Sequence, residues 1–184
     1  MPTQTIRPSS TISQNGWNPT SNIHSTIGDD NNATVATQTA GVANLSVHFA
    51  DTSGLSSATI TSFQFFVVAA YAKKPGASAT AVSLRDGSAN YPDFTLGPFD
   101  KALQTFSSGV YTVQQDGSSA LTSSYLDGLY VVYIASSHGT VLAEMYIEII
   151  YTIGYGNDIM GLDSDDIHSV SGLATADIDS INGL

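Results

Sequence analysis

Residues 60–72 are apolar on both faces of an extended chain, with Phe63, Phe65 and Val67 alternating against Phe66, Val68 and Ala70. Successive side chains of a strand point to opposite sides of its sheet, so this run predicts a central strand covered on both faces. Its apolar core, residues 63–72, is too short to span a bilayer as a helix. A chain built around such a strand needs at least two packed layers.

The rest of the apolar pattern is also that of a β protein. Leu45, Val47 and Phe49 share one face, and Asp51-Thr-Ser-Gly54 supplies a turn. Further strands are predicted at residues 79–84, 91–96, 110–113, 129–135 and 141–153, separated by Arg85-Asp-Gly87, Asp116-Gly-Ser-Ser119 and Ser136-Ser-His-Gly139. In the last strand Val141, Ala143, Met145, Ile147, Ile149 and Tyr151 are expected to face the core, and Glu144 and Glu148 to face water. Strong helix formers are scarce, and these two are the only glutamates. A short helix is expected at most, at residues 101–106 or 119–126. About eight strands without a long helix predict an all-β, two-sheet antiparallel sandwich of the jelly-roll type.

Residues 1–40 are polar, broken by Pro2, Pro8, Gly16, Pro19 and Gly28, and predict an extended N-terminal arm with edge strands. Residues 41–155 form the sandwich core. Residues 156–184 are a tail with an eleven-residue repeat, in which Gly161, Gly172 and Gly183 recur in step with Leu162, Leu173 and Leu184, and Ile167 and Val170 with Ile178 and Ile181. The three-residue steps in this pattern predict short helical turns, each ended by a glycine. A piece this small does not bury enough apolar surface to fold alone. Its apolar side chains Leu162, Ile167, Val170, Leu173, Ile178, Ile181 and Leu184 are therefore the expected docking contacts.

Charge and composition exclude several functions. The net charge is −11, and the five basic residues, Arg7, Lys73, Lys74, Arg85 and Lys101, are scattered, which argues against a nucleic-acid surface. Six of the sixteen acids lie in the tail, at Asp158, Asp163, Asp165, Asp166, Asp177 and Asp179, so a basic receptor is its simplest partner. There is no cysteine, hence no disulfide and no thiolate metal site. No secretory signal or membrane segment is visible, and the chain reads as made in a cytoplasm.

No catalytic constellation stands out. His24, His48, His138 and His168 fall in separate segments without metal-ligand spacing. Glu144 and Glu148, four residues apart on a strand, should lie about 13 Å apart, beyond the roughly 5–9.5 Å of glycosidase pairs. Asp29-Asp-Asn-Asn32 and Asp163-Ser-Asp-Asp166 offer oxygen ligands but lack the central Gly and final Glu of a calcium loop. No cofactor is expected. Trp17, the only tryptophan, reads as the anchor that clamps the arm onto the core, with a sugar platform or interface contact as alternatives.

The tail unit Gly172-Leu-Ala-Thr-Ala-Asp-Ile-Asp-Ser-Ile-Asn-Gly-Leu184 resembles short units of the form G-x-x-x-x-D-I-x-x-I-N-G in tailed-bacteriophage structural proteins. The opening Ile6-Arg-Pro-Ser-Ser10, Asn15-Gly-Trp17 and Asp29-Asp-Asn-Asn-Ala-Thr34 is similar to the start of a family of β-sandwich phage virion proteins. Leu126-Asp-Gly-Leu-Tyr-Val-Val-Tyr133 and Glu144-Met-Tyr-Ile-Glu-Ile-Ile-Tyr151 resemble later parts of the same family. The resemblance implies a non-enzymatic virion component, best a capsid decoration or cement protein that binds the major capsid protein and bridges subunits. A tail or head-fibre component is the variant of that reading. Such a protein is expected to be a homotrimer whose tails bury against a neighbour or the shell, each of seven side chains contributing about 1.5 kcal/mol before ordering costs. The competing class is a carbohydrate-binding jelly-roll module, with Trp17, Tyr91 and Tyr125 as candidate contacts.

Overall fold

A computed structural model describes residues 1–49, 52–71, 80–87, 91, 94–135 and 139–153, and the strands at 169–170 and 173–174. The elements run β1 (Thr3–Ile6), β2 (Pro8–Asn15), β3 (Trp17–Asn18), α1 (Ile23–Ile27), β4 (Ala36–Gln38), β5 (Ala43–Phe49), β6 (Ala58–Tyr71), β7 (Thr80–Arg85), β8 (Phe94–Leu96), β9 (Gln104–Ser107), α2 (Ser123–Asp127), β10 (Tyr130–Ala135) and β11 (Thr140–Ile153). Two further strands, β12 (Ser169–Val170) and β13 (Leu173–Ala174), pair only with each other.

The strands form two antiparallel sheets. The first runs β3-β4-β11-β6-β9, with β1 also on β11; the second runs β2-β5-β10-β7-β8. Counting β4 to β11 as eight successive strands, one sheet orders them first, eighth, third, sixth and the other second, seventh, fourth, fifth. The chain thus alternates between sheets in the pattern of a jelly roll. The sequence expectation of an all-β two-sheet sandwich holds.

Between the sheets lies one core. Phe63, Phe65, Val67, Met145, Ile147 and Ile149 point inward from the first sheet, and Leu45, Val47, Phe49, Val82, Leu84, Val131 and Tyr133 from the second. Phe49 meets Phe65 edge-on across the sandwich with ring centroids 5.8 Å apart, a favoured quadrupole arrangement. Trp17 is 1% exposed and packs edge-on against Tyr133 at 5.7 Å.

Several local expectations change. Residues 1–40 are built into the sandwich: β1 pairs with β11, β2 with β5 and β3 with β4, and the helix α1, unforeseen in the sequence, buries Ile23 and Ile27. Those isoleucines are four residues apart, one helical turn, which the surrounding polar residues obscured. Residues 101–106 supply β9 rather than a helix, and the helix expected within 119–126 is α2, capped by the Thr122 hydroxyl accepting from the Tyr125 N–H. Around 110–113 only Tyr111 pairs, exchanging both backbone hydrogen bonds with Phe63. In the tail, Ser169–Val170 and Leu173–Ala174 are extended and paired antiparallel, not helical. The Ser-Gly dipeptide between them is a turn former, and Val170 prefers an extended backbone. The docking residues Leu162, Ile167, Ile178, Ile181 and Leu184 lie outside the described residues, as do His138 and His168.

The regular alternation expected for the last strand is broken by a bulge between Leu142 and Glu144. The extra residue moves Leu142 onto the core face in place of Val141, and from Met145 onward the inward positions follow the expected register. Glu144 keeps the outward face expected of it but is only 6% exposed, so of the two glutamates only Glu148 is open to solvent. No helix among the described residues is long and apolar enough to cross a membrane.

Candidate binding groove on the outer face of the first sheet

The outer face of β1, β11, β6 and β9 carries the chemistry. Strand registers set its rows. Ile6 pairs with Ile147 and Tyr146 with Phe66, so Arg7, Tyr146 and Phe66 stand side by side across three strands. Tyr146 and Phe66 stack with centroids 4.9 Å apart and planes 10° from parallel, and the Arg7 guanidinium lies over the Tyr146 ring at 5.4 Å. The row on one side reads Thr5, Glu148 and Gln64; on the other Val68 stands between Glu144 and Thr105.

Arg7 is the organising residue. Its Nη1 donates to Glu144 Oε2 at 2.9 Å, and its Nη2 pairs with Asp30. The inner pair is nearly closed off from water, the outer one is not: the Asp30 side chain is 76% exposed. Asp30 sits on the loop after α1 with φ +59°, a left-handed conformation uncommon for a residue other than glycine. The rest of that loop is tied by its own side chains: Asp29 accepts from the Asn31 N–H and the Thr34 hydroxyl, and Asn31 from the Ala33 N–H. Asp29 and Asp30, of the first acidic cluster weighed as calcium ligands, are thus engaged in turn bonds and an ion pair, and the second cluster, 163–166, lies outside the described residues. Among the described residues no group of three or more His, Asp or Glu side chains converges as a metal would need.

These residues surround an open depression of about 380 Å³, lined by Arg7, Asp30, Asn32, Glu144, Tyr146 and Glu148 among others. A smaller hollow of about 70 Å³, bordered by Gln64, Phe63, Val110 and Ile150, adjoins it through Glu148. Together they make a groove along β11. Burial raises the Tyr146 phenol above its usual pKa, with the charges of Glu148 and Glu144 adding to the effect. The phenol therefore stays a neutral donor and acceptor at any physiological pH.

The other sequence candidates lie elsewhere. Trp17, buried in the core, has no ring face to offer a ligand. Tyr91 is 4% exposed and accepts from Tyr125, whose hydroxyl is 2.7 Å away, while donating to the Val113 carbonyl at 3.2 Å. Burial first, then the bond to Tyr125, pushes the Tyr91 phenol far up. With the Tyr111 ring 4.3 Å from that of Tyr91 and tilted by 47°, these tyrosines pin the loops at one end of the sandwich and hold them together. Sequence reasoning missed Arg7 and Tyr146 as site residues and weighed Asp30 only as an oxygen ligand for calcium. The available signal was the apolar outer face of residues 60–72: Val68 lines the groove, and Phe66, half-buried, stacks on Tyr146.

No family model matches the chain, and no curated protein matches it. Among solved structures it is similar to the C-terminal CBM6 of LamC, a marine laminarinase from Zobellia galactanivorans, at 13% identity over 80% of this chain and 98% of that one, with a TM-score of 0.43. It is also similar to the carbohydrate-binding module CBM6cm-2 from Cellvibrio mixtus lichenase 5A, solved in complex with cellotriose, at 13% identity over 79% and 95% of the chains, with a TM-score of 0.40.

Proposed function

We propose that this chain is a non-enzymatic carbohydrate-binding jelly-roll module whose ligand lies in the groove along β11. The observation that carries this reading is the ladder of Arg7, Tyr146 and Phe66 set among carboxylate, amide and hydroxyl groups. A sugar ring presents apolar C–H patches and a rim of hydroxyls. With Arg7 and Phe66 over the two Tyr146 faces, the ring rim and Val68 can pack against the first by dispersion, and Glu148, Asn32, Thr5 and Thr105 can bond the second. Glu144 is committed to Arg7, and no nucleophile and base meet in the groove, so binding without turnover fits the arrangement. The test is calorimetric titration of the full chain with a panel of oligosaccharides. Tyr146→Ala is expected to weaken binding at least about tenfold, since an aromatic contact of this kind contributes about 1–2 kcal/mol. A panel without a binder, or a Tyr146→Ala protein that binds as the parent does, overturns the proposal.

A second reading, a capsid decoration or cement protein or another virion component, is favoured by the eleven-residue tail repeat and the resemblance of its units to phage structural proteins. Here the tail would attach the module to a particle through the major capsid protein, and a glycan groove would still be free to act. Loss of particle binding in a chain ending at Tyr155 supports it; undiminished binding by that chain removes it.

A further inference from the structure

The two outer faces of the sandwich differ in charge. The groove face holds Glu144, Glu148, Arg7 and Asp30. The second sheet has no Asp or Glu in any of its five strands, β2, β5, β7, β8 and β10, although the chain as a whole carries a net charge of −11. Its outward rows follow from the registers. Asn15, Asn44 and Ile134 form one, Ser13, Ser46, Val132 and Ser83 the next, and Ser10, His48, Tyr130 and Arg85 the third.

The middle row is low. Ser46 and Ser83 point outward yet are only 6% and 8% exposed, with the half-buried Val132 between them. Ile134, by contrast, is 45% exposed, and Ile12 on the neighbouring edge strand 56%. A shallow row with one exposed isoleucine beside it can receive the same isoleucine from a copy turned by a half-rotation.

We propose that this face is where two copies of the chain pair, around a two-fold axis, with Ile134 of each copy seated over the Ser46, Val132 and Ser83 row of the other. Charge decides the occupant. Two molecules of the same strongly negative sign repel over most of their surfaces, and the sheet free of carboxylates is where they approach at least cost. A face meeting itself is isologous and closes as a dimer, so this pairing takes the place of the three-fold arrangement expected from the sequence. Four short strands make a small interface, below the size of permanent complexes, so the pairing is reversible and concentration-dependent.

The test is sedimentation velocity of the full chain from about 5 to about 500 μM, the range in which an interface of this size associates. The mass is expected to rise from one copy to two across that range, and more readily at high salt, which screens the repulsion. Ile134→Glu, a change at an exposed position, is expected to keep the parent's circular dichroism and melting behaviour while raising the dissociation constant at least about tenfold. Glu148→Gln, on the opposite face, should leave the association as it is. A chain that stays a monomer throughout, a trimer, or a dimer indifferent to Ile134→Glu overturns the proposal.

Discussion

At the scale of single residues, the consequential placement is Arg7 between a buried and an exposed carboxylate. Removing it leaves Glu144 charged and enclosed without a partner, so Arg7→Ala is expected to destabilise the fold by about 3 kcal/mol in chemical denaturation. Replacing Arg7 and Glu144 together by methionine should recover most of that loss, because the desolvation of both charges disappears with them. Asp30→Ala, which removes only the exposed pair, should change stability by less than about 1 kcal/mol. A second prediction concerns Asp116, whose carboxylate accepts from the Ser119 hydroxyl and from the Ser119 and Ser118 N–H groups at 2.8 Å. These bonds, that of the Ser119 hydroxyl foremost, hold its pKa down to about 2. The charged form is thus favoured in the folded turn. Its contribution is complete above the ordinary carboxylate pKa of about 3.9 and disappears as the pH falls through about 2. Amide chemical shifts of Ser118 and Ser119 should titrate with a midpoint near the lower value; a midpoint near the ordinary one would mean that the turn does not hold the carboxylate.

At the scale of elements, the bulge in β11 decides which of its side chains belong to the core and which to the groove. Deleting Ala143 would remove the extra residue and restore strict alternation, leaving Leu142, Met145 and Ile147 on the core face and Glu144 on the groove face. The shortened protein is expected to keep cooperative thermal unfolding, measured by calorimetry, whereas deleting Tyr146, beyond the bulge, should abolish it. This bulge also marks the limit of what the sequence could tell. Strict alternation read through residues 141–153 gave the right strand and the right inward positions from Met145 onward, yet the wrong face for Val141 and the wrong surroundings for Glu144. A bulge adds one residue without altering composition, so periodicity alone does not locate it. The strands β5, β6, β7, β10 and β11 were legible because each carries a run of apolar side chains bounded by turn formers. Short pieces such as β1 and β3 were foreseen only as unplaced edge strands of the arm, since two to four residues with one apolar side chain become strands only when a long neighbour offers its edge. Arg7 was invisible as a site residue for the same reason: its partners, Asp30 and Glu144, are brought to it by pairing between distant segments.

At the scale of the whole molecule, the sandwich is closed by its beginning and its end. β1 pairs with residues 147–150 of β11, burying Ile6 to 3% exposure. A chain lacking residues 1–6 is expected to lose about 2–4 kcal/mol of stability, measured by denaturant unfolding, from the apolar area and strand pairing that disappear. Trp17→Ala should cost about 3–5 kcal/mol, because its indole fills the space beside Tyr133 and no neighbour can collapse into the cavity without leaving its own strand.

The pairing of β1 with β11 has a practical corollary. The Tyr151 N–H donates to the Pro2 carbonyl at 3.3 Å, so the path into β1 and the path out of β11 meet at one corner of the sandwich. A fluorophore, a fusion partner or a solid support joined at the first residue or directly after Ile153 would hold the module by that same corner. The strand shared by that corner also carries Tyr146 and Glu148, so the two ways of mounting the protein would present the groove with the same orientation. A sensor surface loaded through the first residue and one loaded through a linker after Ile153 would be interchangeable.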